Sequence, residues 1–244
     1  MRVIRGNEIE RYLESEPCEA GILADTAFLY ALSDTDDRLY KSALDVYEPL
    51  ENRGVAIFAN VISRMEFVDL LFRKQITGGA IEIFKSLDPA VASKNIFNFF
   101  KSIRDEDTAH RNDGQSYKIP EGKLKKLREH LESEASSMDW KEFCQKYTGA
   151  KFHNDWSVYE QELGLNFVEV LEGQTSDIIA SPLFWADMVQ VMGEQGIRGP
   201  DAMIANLFLK SRFPLLITAD KDIARAFDDE SPEHESKTIL YLEQ

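Results

Sequence analysis

Cysteine and long apolar runs are both scarce in this sequence. Only Cys18 and Cys144 occur among 244 residues, and neither has the Cys/His spacing of a zinc site. No segment approaches the roughly 18 consecutive apolar residues of a membrane span, and residues 1–8 lack the apolar core of a secretion signal. We therefore expect a cytoplasmic protein in which both thiols are bystanders.

Basic residues are also few. Lys and Arg number 28 against 43 Asp and Glu, a net charge of −15, which argues against broad electrostatic binding of nucleic acid. The charge is unevenly distributed along the chain. Residues 85–156 include 13 basic and 12 acidic residues, whereas the remainder of the chain has a net charge of −16. The middle of the chain is therefore electrostatically distinct. The four histidines show no metal-ligand spacing: His110, His130, His153 and His234.

Short buried strands alternate with helices along most of the chain. Apolar runs predict strands at 20–24, 55–58, 165–171, 214–218 and 238–242. Helical spacing predicts helices at 8–14, after Asp25, and at 36–50, 63–74, 183–192, 200–210 and 222–227, with Pro49 expected to end or kink the third. This alternation predicts an α/β fold with a central, mainly parallel sheet flanked by helices. Residues 1–76 and 164–244 would form it, and 77–163 would be an inserted all-helical region.

Four acidic residues fall at the junctions between predicted strands and helices. Asp25 ends the first strand, Glu66 and Asp201 lie in the first turns of their helices, and Asp220 follows the fourth strand. In parallel sheets, ligands bind beyond the carboxyl ends of the strands. Such a cluster repels itself unless a cation or protons neutralise it, and an all-carboxylate set suits Mg²⁺ or Mn²⁺ better than zinc. The pattern therefore predicts a divalent metal site.

Each acid also has a purely structural interpretation. The segment Ser63-Arg-Met-Glu66 has the form of a capping box, and Asp201 behind Pro200 would favourably meet a helix dipole. Asp25 and Asp220 are both typical helix N-caps. Capping explains the residue types, but it does not explain why four acids occupy successive strand-to-helix junctions.

The segments around these acids resemble, in order, the motif set of PIN-domain nucleases. They are Gly21–Leu32, Ser63–Phe67, Gly199–Ala205 and Leu216–Asp222, and the resemblance covers residues 20–75 and about 165–242. It implies a PIN-like three-layer fold, hydrolysis of RNA phosphodiester bonds with Mg²⁺ or Mn²⁺, and a homodimer. By match, the four acids carry over as catalytic residues and metal ligands, Asp222 as an auxiliary ligand and Thr218 as a substrate-binding hydroxyl.

The inserted region departs from the compact toxin members of that family, which argues against a toxin role and an antitoxin partner. Its amphipathic segment 123–131 carries Lys123, Lys125, Lys126 and Arg128, which are candidates for contacts with RNA phosphates, and Tyr117 is a candidate for stacking on a base. The pattern favours a structural interpretation of these cations over the functional one, as the solvated face of a helix buried through Leu124, Leu127 and Leu131.

Two other functions compete with a nuclease. A non-catalytic PIN-like scaffold, whose insertion binds a protein partner, would suit the strongly negative charge around the site. A phosphatase with an aspartate nucleophile is disfavoured, because Asp25-Thr-Ala-Phe lacks the second acid two positions on that would serve as general acid.

Overall fold

The computed structural model describes residues 1–90, 92–133, 138–169, 172–227 and 236–243, apart from the side chains of residues 150, 151, 155 and 156. These residues form two compact units. The α/β unit consists of residues 1–35, 39–67 and 160–244, and the helical unit of residues 36–38 and 68–159. Within the described ranges, no helix has the length and apolarity that a bilayer span requires.

A six-stranded, all-parallel sheet forms the centre of the α/β unit. Its strands are β1 (Arg2–Arg5), β2 (Ile22–Ala24), β3 (Ile57–Asn60), β4 (Leu165–Val168), β5 (Leu215–Thr218) and β6 (Thr238–Tyr241). They lie in the order β1-β6-β5-β2-β3-β4. The chain proceeds from β2 toward one edge and later returns to β5 on the other side of β2. The strand order therefore reverses between β2 and β5, which in open parallel sheets is where ligands bind.

Helices cover both faces of this sheet. Those of the α/β unit are α1 (Ile9–Ser15), α2 (Thr26–Ser33), α3 (Tyr40–Asn52), the start of α4 (Val61–Ser86), α9 (Trp185–Gln195), α10 (Gly199–Lys210) and α11 (Lys221–Ala226). Leu23, Leu216 and Ile239 share a core with residues of α9, α10 and α11. Because successive side chains point to opposite faces, Ile22 and Ile217 must face the other way, and they too are fully buried. The unit is therefore a three-layer α/β structure.

Glycine is required where β2 begins. Gly21 has a φ of 84°, and a Cβ there would lie 2.6 Å from the carbonyl oxygen of Ala56 on the neighbouring chain segment. Only a residue without a side chain allows both this backbone conformation and this close approach. Strand β2 is thereby set directly against β3, just before Asp25.

The helical unit has a hydrophobic core of its own. It contains the remainder of α4, α5 (Lys94–Asn112), α6 (Glu121–Leu131), α7 (Trp140–Tyr147) and most of α8 (Gly149–Glu162). Buried side chains from four of these helices form the core, among them Ile76, Phe100, Leu127 and Phe143. A Cβ on Gly79 would lie 2.8 Å from the Tyr147 ring, so this glycine permits close helix packing.

Several elements differ from the sequence prediction. Strand β1 was not predicted, because Arg2-Val-Ile-Arg5 has only two apolar residues; it is stabilised by parallel pairing with β6. Helix α4 was predicted to end at residue 74 but continues to Ser86, and α3 continues past Pro49 to Asn52. The last two positions predicted for β4, 170 and 171, lie outside the described residues, as does His234.

Candidate active site

The four predicted acids come from four different junctions, all in the α/β unit and near the reversal of strand order. Asp25 follows β2, Asp220 follows β5, Glu66 lies in the second turn of α4, which follows β3, and Asp201 lies in the first turn of α10. Asp25 and Asp201 are buried, whereas Glu66 and Asp220 are half-buried. Parallel neighbours β2 and β5 end at the same edge, so they bring Asp25 and Asp220 together from positions far apart in sequence.

Asp25 is the most constrained of these acids. Its Oδ1 accepts a hydrogen bond from the backbone N–H of Thr26 at 2.6 Å, and its Oδ2 accepts one from the hydroxyl of Thr218 at 2.7 Å. The side chain is only 5% exposed. The pKa of Asp25 is raised to about 7, chiefly by burial and also by the charges of Asp220 and Asp201, against the opposing effect of the two hydrogen bonds. Part of the Asp25 population therefore carries a proton at neutral pH.

Glu66 accepts a hydrogen bond from the residue that follows Asp25. The hydroxyl of Thr26 donates a hydrogen bond to Glu66 Oε2 at 2.8 Å. Helix α4 begins at Val61, and Asn60 Oδ1 accepts a hydrogen bond from the N–H of Ser63, so Asn60 caps the helix. The capping-box interpretation of Ser63 and Glu66 is wrong, because Ser63 lies inside the helix.

Asp201 combines burial with a nearby exposed cation. Burial and the negative charges of Asp220 and Glu66 raise its pKa, and Arg198 opposes the rise. The Nε of Arg198 lies 3.4 Å from Asp201 Oδ2, in a side chain that is 84% exposed. Asp201 also lies at the N-terminus of α10, where the helix dipole favours a negative charge.

Asp220 and Thr218 form the β5 side of the site. Asp220 caps α11, since its Oδ1 accepts a hydrogen bond from the N–H of Asp222 at 2.7 Å. Thr218 is fully buried; its hydroxyl donates to Asp25 and accepts from the N–H of Asp220 at 2.9 Å. Thr218 therefore positions two acids instead of offering a free hydroxyl to a substrate. Asp222 is exposed and contributes its backbone N–H to this network.

Electrostatic coupling links the four acids. The charges of Asp220 and Asp201 act on Asp25, and those of Asp220 and Glu66 act on Asp201. In the described part of the chain, no group of three or more His, Cys, Asp and Glu side chains is arranged so as to hold a metal ion. Carboxylates that repel one another stand apart until a cation offsets their charge, so this spacing does not decide whether a metal binds. The donor set, all carboxylate oxygen, fits a hard ion such as Mg²⁺ or Mn²⁺.

The basic residues predicted to contact substrate lie on α6, in the helical unit. Lys123 forms an ion pair with Glu106, and the guanidinium of Arg128 lies 5.0 Å from the centre of the Trp140 ring. Lys125 and Lys126 are exposed, on the face opposite the buried Leu127 and Leu131. Tyr117 is 6% exposed and donates its hydroxyl to Glu106, so its ring is not open to a base.

Sequence reasoning missed two functional side chains in this site. Thr26 joins Asp25 to Glu66 through its N–H and its hydroxyl, and Arg198 is the cation beside Asp201. A hydroxyl residue directly after a strand-ending Asp would have indicated the first. Arg198 is the N-cap residue of α10, and its spacing of three residues from Asp201 would have indicated the second.

Comparisons with known proteins give no independent identification, since no protein-family model, curated protein or solved structure matches this chain.

Proposed function

We propose that this chain is a divalent-metal-dependent nuclease with RNA as its substrate, and that its α/β unit has a PIN-like fold. The observation that supports the proposal best is the electrostatic coupling of Asp25, Glu66, Asp201 and Asp220 at the reversal of strand order. Helix capping alone requires no such coupling. The ordered resemblance to PIN-domain motifs supports the choice of reaction and of RNA.

In this proposal the four acids would hold Mg²⁺ or Mn²⁺, with Asp222 as an auxiliary ligand. When bound, such an ion polarises a scissile phosphate and lowers the pKa of a bound water. The chain's own contribution is to position the ligands. Thr26 and Thr218 hold Asp25, and the same two residues connect it to Glu66 and Asp220. Asp25, Glu66 and Asp220 are therefore joined in one hydrogen-bonded network, from which the carboxylates would still have to close around an ion.

Arg198 would bind the phosphate itself. Its guanidinium is largely exposed beside Asp201, and a planar guanidinium can donate two parallel hydrogen bonds to phosphate oxygens. A cation at this place would also reduce the repulsion between an RNA backbone and the acidic site, in a chain whose net charge is −15. We expect Arg198 to be released from Asp201 when Asp201 binds the metal.

A non-catalytic scaffold is the second candidate, and the net charge favours it. Metal binding alone would not exclude it, because a structural ion would serve a scaffold equally well. Cleavage of RNA decides between the two. A homodimer, implied by the same resemblance as the nuclease, stays a prediction.

The test compares the parent protein with Asp201→Asn and with Asp45→Asn, an exposed carboxylate on α3 outside the four acids. At a metal concentration a hundred times the dissociation constant, Mn²⁺ should raise the melting temperature of the parent and of Asp45→Asn by about 5–10 °C. Asp201→Asn should lose most of this rise. In the same buffer the parent and Asp45→Asn should cleave a pool of single-stranded RNA, and Asp201→Asn should not.

Each outcome has a distinct meaning. Equal thermal responses in all three proteins would refute the metal site. A metal response confined to the parent and Asp45→Asn, without cleavage of any RNA, would favour the scaffold. Circular dichroism of Asp201→Asn confirms that loss of activity is not loss of fold.

A further inference from the structure

A cavity of about 560 Å³ lies among the helices of the helical unit. Helices α4, α5, α7 and α8 and the segment between α5 and α6 contribute to its lining, and every lining residue belongs to this unit. Binding sites for small molecules have volumes of about 300–1,000 Å³. The cavity therefore has the size of a small-molecule site, and it is distinct from the four acids, which belong to the α/β unit.

Basic side chains from three helices line this cavity. Lys74 comes from α4, Arg111 from α5 and Lys146 from α7. Two acids, Glu82 and Asp107, also line it. The cavity thus has more basic than acidic side chains, in a chain that has 43 acidic residues against 28 basic ones. This local excess of positive charge favours an anionic occupant.

Both acids of the lining already have cationic partners. Arg111 Nε lies 2.8 Å from Asp107 Oδ2, within the lining itself. Lys85 Nζ lies 2.7 Å from Glu82 Oε1. These ion pairs offset the two negative charges, so the acids repel an anion less than isolated carboxylates would.

Lys146, by contrast, takes part in no ion pair within the described ranges. Its side chain is exposed, and its Nζ lies 4.9 Å from the centre of the Tyr147 ring, which also lines the cavity. Lys146 can therefore donate to an anion in the cavity without first breaking an ion pair with a carboxylate.

Gly78 lines the cavity from the interior of α4, where glycine destabilises a helix relative to alanine. Its φ is not positive, so the backbone conformation does not require glycine. Packing explains the neighbouring Gly79, whose Cβ would lie 2.8 Å from the Tyr147 ring, but a Cβ on Gly78 would meet no atom within 4 Å. The missing side chain at Gly78 therefore leaves open space beside the helix backbone that an occupant can use.

The lining also indicates the chemical class of the anion. Lys74 and Lys146 belong to different helices, and a phosphate group has strong acceptor oxygens in several directions, so one phosphate can meet donors from both. The apolar side chains of Leu71 and Ile81 line the same cavity. A phosphate joined to an apolar or ring-shaped body matches this combination better than a bare ion does.

We propose that this cavity binds a small organic phosphate, with its phosphate group at Lys74 and Lys146 and the rest of the molecule beside Gly78. The site goes beyond the proposed nuclease and does not depend on it, because all of its residues belong to the helical unit. It would make the helical unit a ligand-binding module.

The test uses phenyl phosphate as the probe, in buffer containing EDTA so that no metal joins the phosphate to the four acids. Phenol presents the ring without the charge, benzoate presents a ring with a carboxylate, and inorganic phosphate presents the charge without the ring. Binding is followed by the NMR shifts of the backbone amides of Gly78 and Lys146. We expect phenyl phosphate to shift both signals and to bind more tightly than each of the other three compounds.

Two variants and a control identify the contacts. Lys146→Gln removes the charge and should weaken phenyl phosphate binding by roughly tenfold. Lys141→Gln changes an exposed lysine of the same helix that does not line the cavity, and it should leave binding unchanged. Gly78→Leu fills the open space and should abolish binding, yet it should raise the melting temperature, because leucine is favourable inside a helix.

The site is refuted if phenol shifts the same signals as strongly as phenyl phosphate, or if Lys146→Gln or Gly78→Leu retains full affinity. Benzoate or inorganic phosphate that binds as tightly as phenyl phosphate would overturn the choice of an organic phosphate. If a single-stranded RNA shifts both signals and phenyl phosphate shifts neither, the cavity binds RNA and the proposal is wrong. None of these outcomes depends on cleavage of RNA, so the proposed nuclease stands or falls separately.

Discussion

Replacing Asp25 by Asn should stabilise the metal-free protein at neutral and alkaline pH. The carboxylate is buried and lies near the charges of Asp220 and Asp201, so ionising it in the native state is unfavourable. An Asn side chain keeps one of the two hydrogen bonds, since its Oδ1 can accept from the N–H of Thr26. Its Nδ2 cannot accept from the hydroxyl of Thr218, so that hydrogen bond is lost at every pH. The growth of the stability difference with pH therefore reports the charge alone.

The size of the effect follows from the pKa of Asp25, which rises from 3.8 to about 7 on folding. A difference of about three pH units corresponds to about 4 kcal/mol. Because the native pKa is the higher one, the native state keeps its proton where the unfolded chain has lost it. The contribution to stability is thus full below about pH 4 and is lost as the pH rises to about 7. The stability of Asp25→Asn relative to the parent should therefore rise by about 4 kcal/mol over the same pH range.

Urea unfolding in EDTA at several pH values between 4 and 8 measures this difference directly. Asp45→Asn is the matched control, because it removes an exposed carboxylate and should show no such growth with pH. An effect of 4 kcal/mol is a large share of the 5–15 kcal/mol that stabilises typical domains, so it cannot be overlooked. A constant difference between Asp25→Asn and the parent from pH 4 to pH 8 would refute the account of a buried, charge-coupled Asp25.

Two further substitutions test the neighbouring chemistry. Thr218→Val, which is similar in shape, removes the donor to Asp25 and leaves the N–H of Asp220 unpaired. It should lower the free energy of unfolding by about 2–4 kcal/mol, measured in urea at pH 8. A loss below about 1 kcal/mol would contradict the positioning role of Thr218. Changing Lys125 and Lys126 together to Glu should weaken RNA binding and reduce its salt slope by about two if both contact phosphates. An unchanged slope would mean that α6 does not contact RNA.

Much of the α/β unit could be predicted from local patterns. The alternation of short apolar strands with helices is the direct consequence of burying a sheet on both faces, and five of the six strands were placed within a few residues. The parallel sheet flanked by helices is confirmed. Strand β1 escaped prediction because its stability comes from pairing with β6, more than 230 residues away. The extension of α4 beyond residue 74 also escaped prediction; it includes Gly79, which permits close packing against Tyr147.

For the candidate site, the sequence predicted which residues are acidic and that they lie at strand-to-helix junctions, but it did not predict their hydrogen-bond partners. Asp25 and Asp220 do cap helices, as the structural interpretation expected. Glu66 shows the limit of local reasoning, since a capping box within four residues of sequence was plausible and the true partner is Thr26, forty residues away.

Local patterns in the sequence reveal which residues carry charge and where each strand is followed by a helix, because hydrophobic period and capping chemistry act over a few residues. Tertiary packing places β5 beside β2, which brings Asp220 to Asp25 and buries Thr218 between them. It also buries Asn206 Oδ1 where no donor among the described residues reaches it. Burial and partners at long sequence separation depend on how strands and helices pack, and no local pattern of residues contains that information.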